Sequence, residues 1–415
     1  MPDPAEQKQT PLGALVTAGD QQTEAERITD TIFMVKDISN AYLVTTPDGD
    51  VLVNTGFIGN GPRNKALFAP HRTGRLRKIV LTQAHADHFG ALPDQLEPGT
   101  KVIAGAGFTE TDRYFDALKM FLGRRSGKLW ASMTRRNGPP PVAPRVVPDV
   151  EVADRLAFTI GGKRFEVIKV PGGESQCCAI LWLPDEKTVF TGNAFGPVWR
   201  SQPNLTTTRG DKPRLVAPYL RTAELVRDLG AELVITGHGE PVRGADRIRA
   251  DLVAMHDAIS YIERETIKGM NDGRSVYELM QTIELPSDIG VGGFHGQTKW
   301  TVRAVWEENG NWFKYEDGTT ALFGSPRSSV DADVVELAGG AAKVAARAKA
   351  RLDAGEPLEA LHLVDIALSA DRAEPCALAV KKAACQLLLA RGGGQNLSET
   401  MWLRAEIADA EKALG

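Results

Sequence analysis

One stretch constrains this chain more than any other: RKIVLTQAHADHFGAL, residues 77–92. RKIVLT reads as a short buried strand. It runs straight into Gln83, His85, Asp87 and His88. Side chains at alternating positions leave a strand on the same side. Residues 83, 85 and 87 therefore point together, and His88 opens a second set. Imidazole nitrogen and carboxylate oxygen are the donors a zinc ion takes at about 2 Å. A lone histidine is usually a packing or surface residue. Two histidines and an aspartate at the end of a strand read as metal ligands, although Gln83 stands where the pattern invites a third histidine.

The same plan recurs along the chain. TIFMVKD, AYLVTT and DVLVNTG are short and rich in strand formers, with a turn at Pro47-Asp48-Gly49. RFEVIKV (164–170) breaks at Pro171-Gly172-Gly173 and is followed by Glu174. KTVFTG (187–192) leads to Asn193, and AELVIT (231–236) leads to His238 within GHG. Glycine beside each donor permits a tight turn. GHG alone is a weak signal; four such loops in order are a strong one. Helical stretches such as APYLRTAELVRDLG (217–230) lie between the strands, which implies a layered α/β domain with its site along one sheet edge. Beyond about residue 250 the strands give way to helical spacing. Residues 333–414 are rich in alanine and leucine, with breaks at 354–357 and 392–394, and read as about four helices in antiparallel pairs. The segment 108–150 is basic, apolar and proline-ended; it either lines the mouth of a site or forms a solvated helix and loop.

Composition narrows the partners. The net charge of −4 gives no broad attraction to nucleic acid. The N-terminus has no export-signal pattern and no run reaches membrane-spanning length. Of four cysteines two are adjacent, Cys177 and Cys178, which does not suit a disulfide framework. Cysteines 177, 178, 376 and 385 read as core thiols, with Cys178 near enough to the site for an adventitious ligand role. The expected location is the cytoplasm, with no membrane or nucleic-acid partner. His71, His256 and His362 are assigned to surface or packing.

The order of the loops resembles the metallo-β-lactamase superfamily, and within it the alkylsulfatases. The likeness rests on QAHADH, on Glu174 and Asn193 nineteen positions apart, on NLTTTRG (204–210), and on GFHGQTKWTVRAVWEENGNWF (293–313). It implies an αββα metallo-β-lactamase sandwich with a C-terminal all-α helical domain. The implied division is a lead-in at 1–27, a catalytic domain at 28–260, a helical region completing the site at 261–332, and a dimerisation domain at 333–415. The sequence ends before the lipid-transfer-like lobe that the sulfatases carry, which makes a long-chain alkyl substrate a weaker expectation. By resemblance, Gln83, His85 and Glu174 hold one zinc ion and Asp87, His88 and His238 another, with Asn193 between them. Manganese and iron are alternatives. A metal-bound hydroxide aided by Asp87 attacks the substrate, Arg209 clasps its sulfate, and Asn204 adds a hydrogen bond.

Four departures stand out. Gln83 and Asn193 replace charged or imidazole ligands, which implies looser binding in the first site, greater Lewis acidity, or a single occupied site. Trp300 stands where the family has an acid histidine; it is read as a substrate-stacking residue, with His295 either the substitute acid or structural. Asn54 takes the place of an aspartate that usually supports a ligand. The expected function is hydrolysis of a small, anionic sulfate ester by a homodimer. The alternatives are a hydrolase or lyase of another bond (lactone, thioester, carbon–heteroatom) and a degenerate metal- or anion-binding scaffold.

Overall fold

The computed structural model describes residues 10–134 and 144–415. Among the described residues, thirteen strands form two sheets. The first runs in chain order: β1 (Glu26–Arg27), β2 (Ile32–Val35), β3 (Ala41–Val44), β4 (Asp50–Val53), β5 (Leu76–Leu81), β6 (Lys101–Gly105) and β7 (Val150–Val152). Strands β1 to β4 pair antiparallel, and β4 to β7 pair parallel. The second sheet has the order β13-β12-β11-β10-β9-β8, from β8 (Arg155–Ile160), β9 (Lys163–Lys169), β10 (Ala179–Leu183), β11 (Thr188–Gly192), β12 (Leu233–Thr236) and β13 (Val242–Arg243).

Strands β2, β3, β10 and β12 are apolar at nearly every position and buried throughout, because both faces of the sheets are covered there. Ile32, Met34, Tyr42 and Val80 of the first sheet meet Phe165, Val167, Leu181 and Ile235 of the second in one core. The alternate residues Phe33, Val35, Leu43 and Ile79 turn outward, where Phe68, Phe89 and Phe108 from helical segments cover them. On the far side, Ile168, Ile180 and Val234 pack against Tyr219, Ile248 and Leu252 of helices Val216–Asp228 and Ala245–Asn271. The result is the four-layered αββα arrangement. Within the segment read as a lead-in, Pro11–Thr17 is a helix with Leu12 and Val16 buried. Part of the basic insertion, 135–143, lies outside the described residues, as do residues 1–9 of the lead-in.

Backbone bonds tie the two sheets together at one edge. Asn40 N–H donates to Gly237 O at 2.7 Å, and Ala179 N–H to Thr82 O at 2.9 Å. The buried Tyr42 hydroxyl donates to Thr236 O at 2.7 Å. These contacts bring the C-terminal ends of β4, β5, β11 and β12 to the same place, the edge at which layered α/β sheets carry their sites.

The chain divides into two compact units. One holds Pro11–Arg125 and continues up to Glu308; the other comprises Asn309–Gly415 together with Ser126–Thr134. The second unit contains helices Asp331–Leu337, Ala341–Asp353, Pro357–Ala370, Pro375–Gly392 and Leu397–Leu414. Its core is small-residue packing: Ala345, Ala348, Ala360, Ala367 and Ala377 lie between Val344, Val364 and Val380. Proline opens two of these helices, and Asn396 caps a third by accepting from Glu399 N–H. No described helix is long and apolar enough to cross a membrane.

Tyr42→Phe should cost about 1–3 kcal/mol, because it strips the buried Thr236 carbonyl of its phenolic donor. Urea unfolding should show a lower midpoint with an unchanged slope.

Candidate metal centre

Each strand end delivers one part of the site. β5 leads to Gln83, His85, Asp87 and His88; the loop after β9 leads to Glu174; β11 leads to Asn193; β12 leads to His238. Two glycines make the convergence sterically feasible. Gly192 has φ +51°, and a Cβ there would collide with Thr82. A Cβ on Gly237 would run into the Asn193 amide oxygen and the His88 ring.

Asp87, His88 and His238 form a triangle of donor atoms all within 4.8 Å of one another. Asp87 Oδ2 is 3.6 Å from His88 Nε2 and 3.8 Å from His238 Nε2. Tetrahedral ligands on zinc stand roughly 3.4 Å apart, given bonds of about 2.1 Å. Among the described residues this is the one group of three His, Cys, Asp or Glu side chains with such spacing. Burial lowers the pKa of His88 to about 3, the nearby His85 adding to the effect. Burial likewise lowers His238 to about 4, against the pull of Asp87. Both imidazoles are therefore neutral at pH 7, the form that binds a cation. The donor set thus fits a divalent ion.

Nδ1 of His88 faces the hydroxyls of Ser39 at 3.2 Å and Thr82 at 3.3 Å, and the Asn54 amide nitrogen at 3.0 Å. Thr82 N–H donates to Asn54 Oδ1 at 3.0 Å, which turns the Asn54 amino group toward His88. The hydroxyls can accept a hydrogen bond from Nδ1–H; the amino group cannot.

The second group is arranged differently. Gln83 Nε2 lies 2.8 Å from His85 Nδ1, 3.1 Å from His88 Nε2 and 3.1 Å from Glu174 Oε2. Asn193 Nδ2 donates to Glu174 Oε2 at 2.6 Å and lies 3.1 Å from His238 Nε2. Cys178 Sγ is 3.4 Å from Gln83 Oε1. Burial beside Cys177 raises the Cys178 thiol to about 12, so it stays protonated and can donate to that oxygen.

Two residues that sequence reasoning passed over complete the charge balance. Arg214, buried, lies 3.2 Å from Asp211 Oδ2 and 3.7 Å from Glu174 Oε1. Asp211 Oδ2 lies 3.6 Å from His85 Nε2 and 3.6 Å from Arg209. Burial alone would raise the carboxyls of Glu174 and Asp211; His85 and Arg214 outweigh it and hold both below the usual range, with Arg209 assisting at Asp211. Burial alone would lower His85, but Asp211 and Glu174 prevail and raise it, the direction opposite to that of His88 and His238. The dense charge of RGDKPR directly after NLTTT was the available signal.

The remaining expected residues lie around this centre. Arg209 keeps 29% of its side chain exposed. Its loop is pinned by Arg125, which donates to the carbonyls of Thr208 at 2.9 Å and Arg209 at 2.8 Å. Arg125 belongs to the basic insertion, as does Phe115, whose ring packs edge-on to His85 at 5.3 Å. Asn204 is buried with its Oδ1 unbonded. His295 Nε2 is 3.5 Å from Glu174 Oε1, and burial, reinforced by Arg214 and Arg209, brings its pKa to about 3. Trp300 is half-buried in the first turn of helix Thr298–Gly310. His71 stacks on Phe33 at 4.2 Å, and His256 meets Glu224 and Asp257, away from the centre.

Asn54→Asp should tighten binding of a divalent ion about tenfold or more, because a carboxylate accepts a hydrogen bond from His88 Nδ1–H and makes Nε2 a better donor. Aspartate tolerates the left-handed φ of 56° at this position. Competition with a chromophoric chelator measures the gain.

Comparison with known proteins agrees with this geometry. Residues 34–238 match the Metallo-beta-lactamase superfamily, and residues 276–401 match the family described as Alkyl sulfatase dimerisation. The linear primary-alkylsulfatase of Pseudomonas sp. (strain ATCC 19151) is 24% identical over 298 residues, covering 66% of this chain and 56% of that protein. The alkyl/aryl-sulfatase BDS1 of Saccharomyces cerevisiae is 24% identical over 364 residues, 80% of this chain and 55% of the relative. The chain thus spans little more than half the length of these curated relatives. The solved structure of the stereoselective inverting sec-alkylsulfatase Pisa1 from Pseudomonas sp. has the same fold, with a TM-score of 0.82 at 21% identity over 97% of this chain and 67% of that one. With a metallo-beta-lactamase domain followed by an alkyl sulfatase dimerisation domain, the chain is an alkylsulfatase-like protein of the metallo-beta-lactamase superfamily.

Proposed function

We propose that this protein is a metal-dependent hydrolase of small organic sulfate esters. The observation that carries the reading is the convergence of Asp87, His88 and His238, with the half-buried Arg209 in the loop that also supplies Asp211 beside His85. Similarity to alkylsulfatases supports the choice of sulfate.

Zinc is the ion we assign, on the strength of two imidazoles and one carboxylate. When bound, such an ion supplies Lewis acidity and lowers the pKa of water to about 7. His88 and His238 offer neutral nitrogens from the buried side. Asp87, with 24% of its side chain exposed, faces the approach of water and substrate. Arg209 meets the sulfate with its planar fork, which matches two oxyanion oxygens at once. Its pairing with Asp211 holds the guanidinium in place until substrate arrives. Asn204 supplies a further hydrogen bond, and Trp300 stacks on the organic group. His295 acts through Glu174 as a positioning residue.

The catalytic domain at 28–260, the helical region at 261–332 and homodimerisation through 333–415 are parts of the same proposal. The dimerisation match and the exposure of Leu337 (88%) and Leu358 (51%) support the last. The free thiols of Cys177, Cys178, Cys376 and Cys385 support a reducing, cytoplasmic setting.

Sulfate release from primary, secondary and aryl sulfates should depend on added zinc and vanish with a chelator. Turnover confined to lactones or thioesters in the same panel would reject the sulfate assignment, and no turnover of any of them would favour the scaffold alternative. Arg209→Ala should lower kcat/KM for sulfate esters about a hundredfold, and Arg209→Lys should recover only part of the loss.

A further inference from the structure

We propose that the chain holds a single divalent cation, at Asp87, His88 and His238, because the Gln83 side-chain amide, oriented by Cys178, closes the other half of the centre to metal. The inference rests on the metal-dependent reading above and specifies which donors that reading uses.

The orientation of the amide follows from its neighbours. A carboxylate only accepts hydrogen bonds, so the end of Gln83 that stands 3.1 Å from Glu174 Oε2 is the amino group. The other end meets the Cys178 thiol at 3.4 Å, a donor matched to the carbonyl oxygen. Turning the amide over would set oxygen against carboxylate and sacrifice the thiol contact. Gln83 therefore offers N–H groups, not an oxygen donor, to this half of the centre.

That nitrogen already sits among the atoms a metal would need. It lies 2.8 Å from His85 Nδ1 and 3.1 Å from Glu174 Oε2. A zinc ion would require those same donors at about 2.0–2.2 Å, a space it cannot share with an amino group. Gln83 is fully buried, so the amide has no solvent to swing into. Glu174 has no need of the ion either. Asn193 donates to it at 2.6 Å, and Arg214 stands 3.7 Å away as a resident positive charge. On its other side, His85 faces Asp211 at 3.6 Å. An arginine and two amides thus occupy the electrostatic place of a metal ion. In the open half, Asp87 Oδ2 opposes both imidazoles at 3.6 and 3.8 Å. There the Gln83 and Asn193 amino groups each meet one imidazole nitrogen at 3.1 Å, whereas in the closed half the Gln83 amino group bridges two donors, His85 and Glu174.

The test counts zinc by elemental mass spectrometry on full-length protein that has been stripped with chelator, reloaded with zinc and desalted. Wild type and Gln83→Ala should each retain about one ion per chain, Asp87→Ala essentially none, and Gln83→His about two. Two firmly held ions in the wild type would overturn the closed half-site and leave the metal-dependent reading intact. One ion that survives in Asp87→Ala but is lost in Gln83→Ala would overturn it as well. No zinc in the wild type would refute the metal-dependent reading itself. If Gln83→His does not fold, the wild-type, Gln83→Ala and Asp87→Ala counts decide the matter.

Discussion

The hydrogen bonds that clamp two sheets together at one edge are what everything else depends on. Asn40 to Gly237, Ala179 to Thr82 and Tyr42 to Thr236 are each contacts between chain segments far apart in sequence. They fix the separation of the strand ends, and so the separation of the side chains that leave those ends. The apolar layer between the sheets gives the clamp its stability, since its side chains are buried from both directions. Without this register, Asp87 and His238 would belong to unrelated loops.

Once assembled, the centre faces an electrostatic problem. Glu174, Asp211 and Asp87 gather within a few residues' reach, two of them buried, and a buried charge is costly unless it is paired. The chain resolves this unevenly. Around Glu174 and Asp211 it supplies its own compensation from Arg214, Arg209 and side-chain amides. Around Asp87 the structure supplies two neutral imidazoles and solvent. A cation is needed where the protein has not already provided one. This unevenness connects the substitutions at positions 83 and 193 with Arg214, and it makes them parts of one arrangement.

The fold was legible because its elements obey local rules. Strands covered on both faces appear as continuous apolar runs, and glycine-flanked donors mark their ends. The helical C-terminal half was legible from alanine and leucine spacing and from its glycine breaks. Arg214 and Asp211 escaped because charged residues in a loop usually mean a solvated surface; only their contacts with His85 and Glu174, which come from other loops, give them a role. The orientation of Gln83 escaped for a deeper reason. An amide presents oxygen or nitrogen according to its neighbours, and those neighbours, Cys178 and Glu174, come from another loop. Sequence spacing also could not separate the two fates of His295, because that choice depends on burial against Glu174.

The central claim is that loops distant in sequence converge to grip a divalent ion through Asp87, His88 and His238. Anomalous diffraction at the zinc absorption edge, from crystals grown with zinc, addresses it directly. The account predicts one strong peak about 2.0–2.2 Å from Asp87 Oδ2, His88 Nε2 and His238 Nε2. A peak seated instead between His85 and Glu174, or no peak within bonding distance of those three atoms, would contradict it.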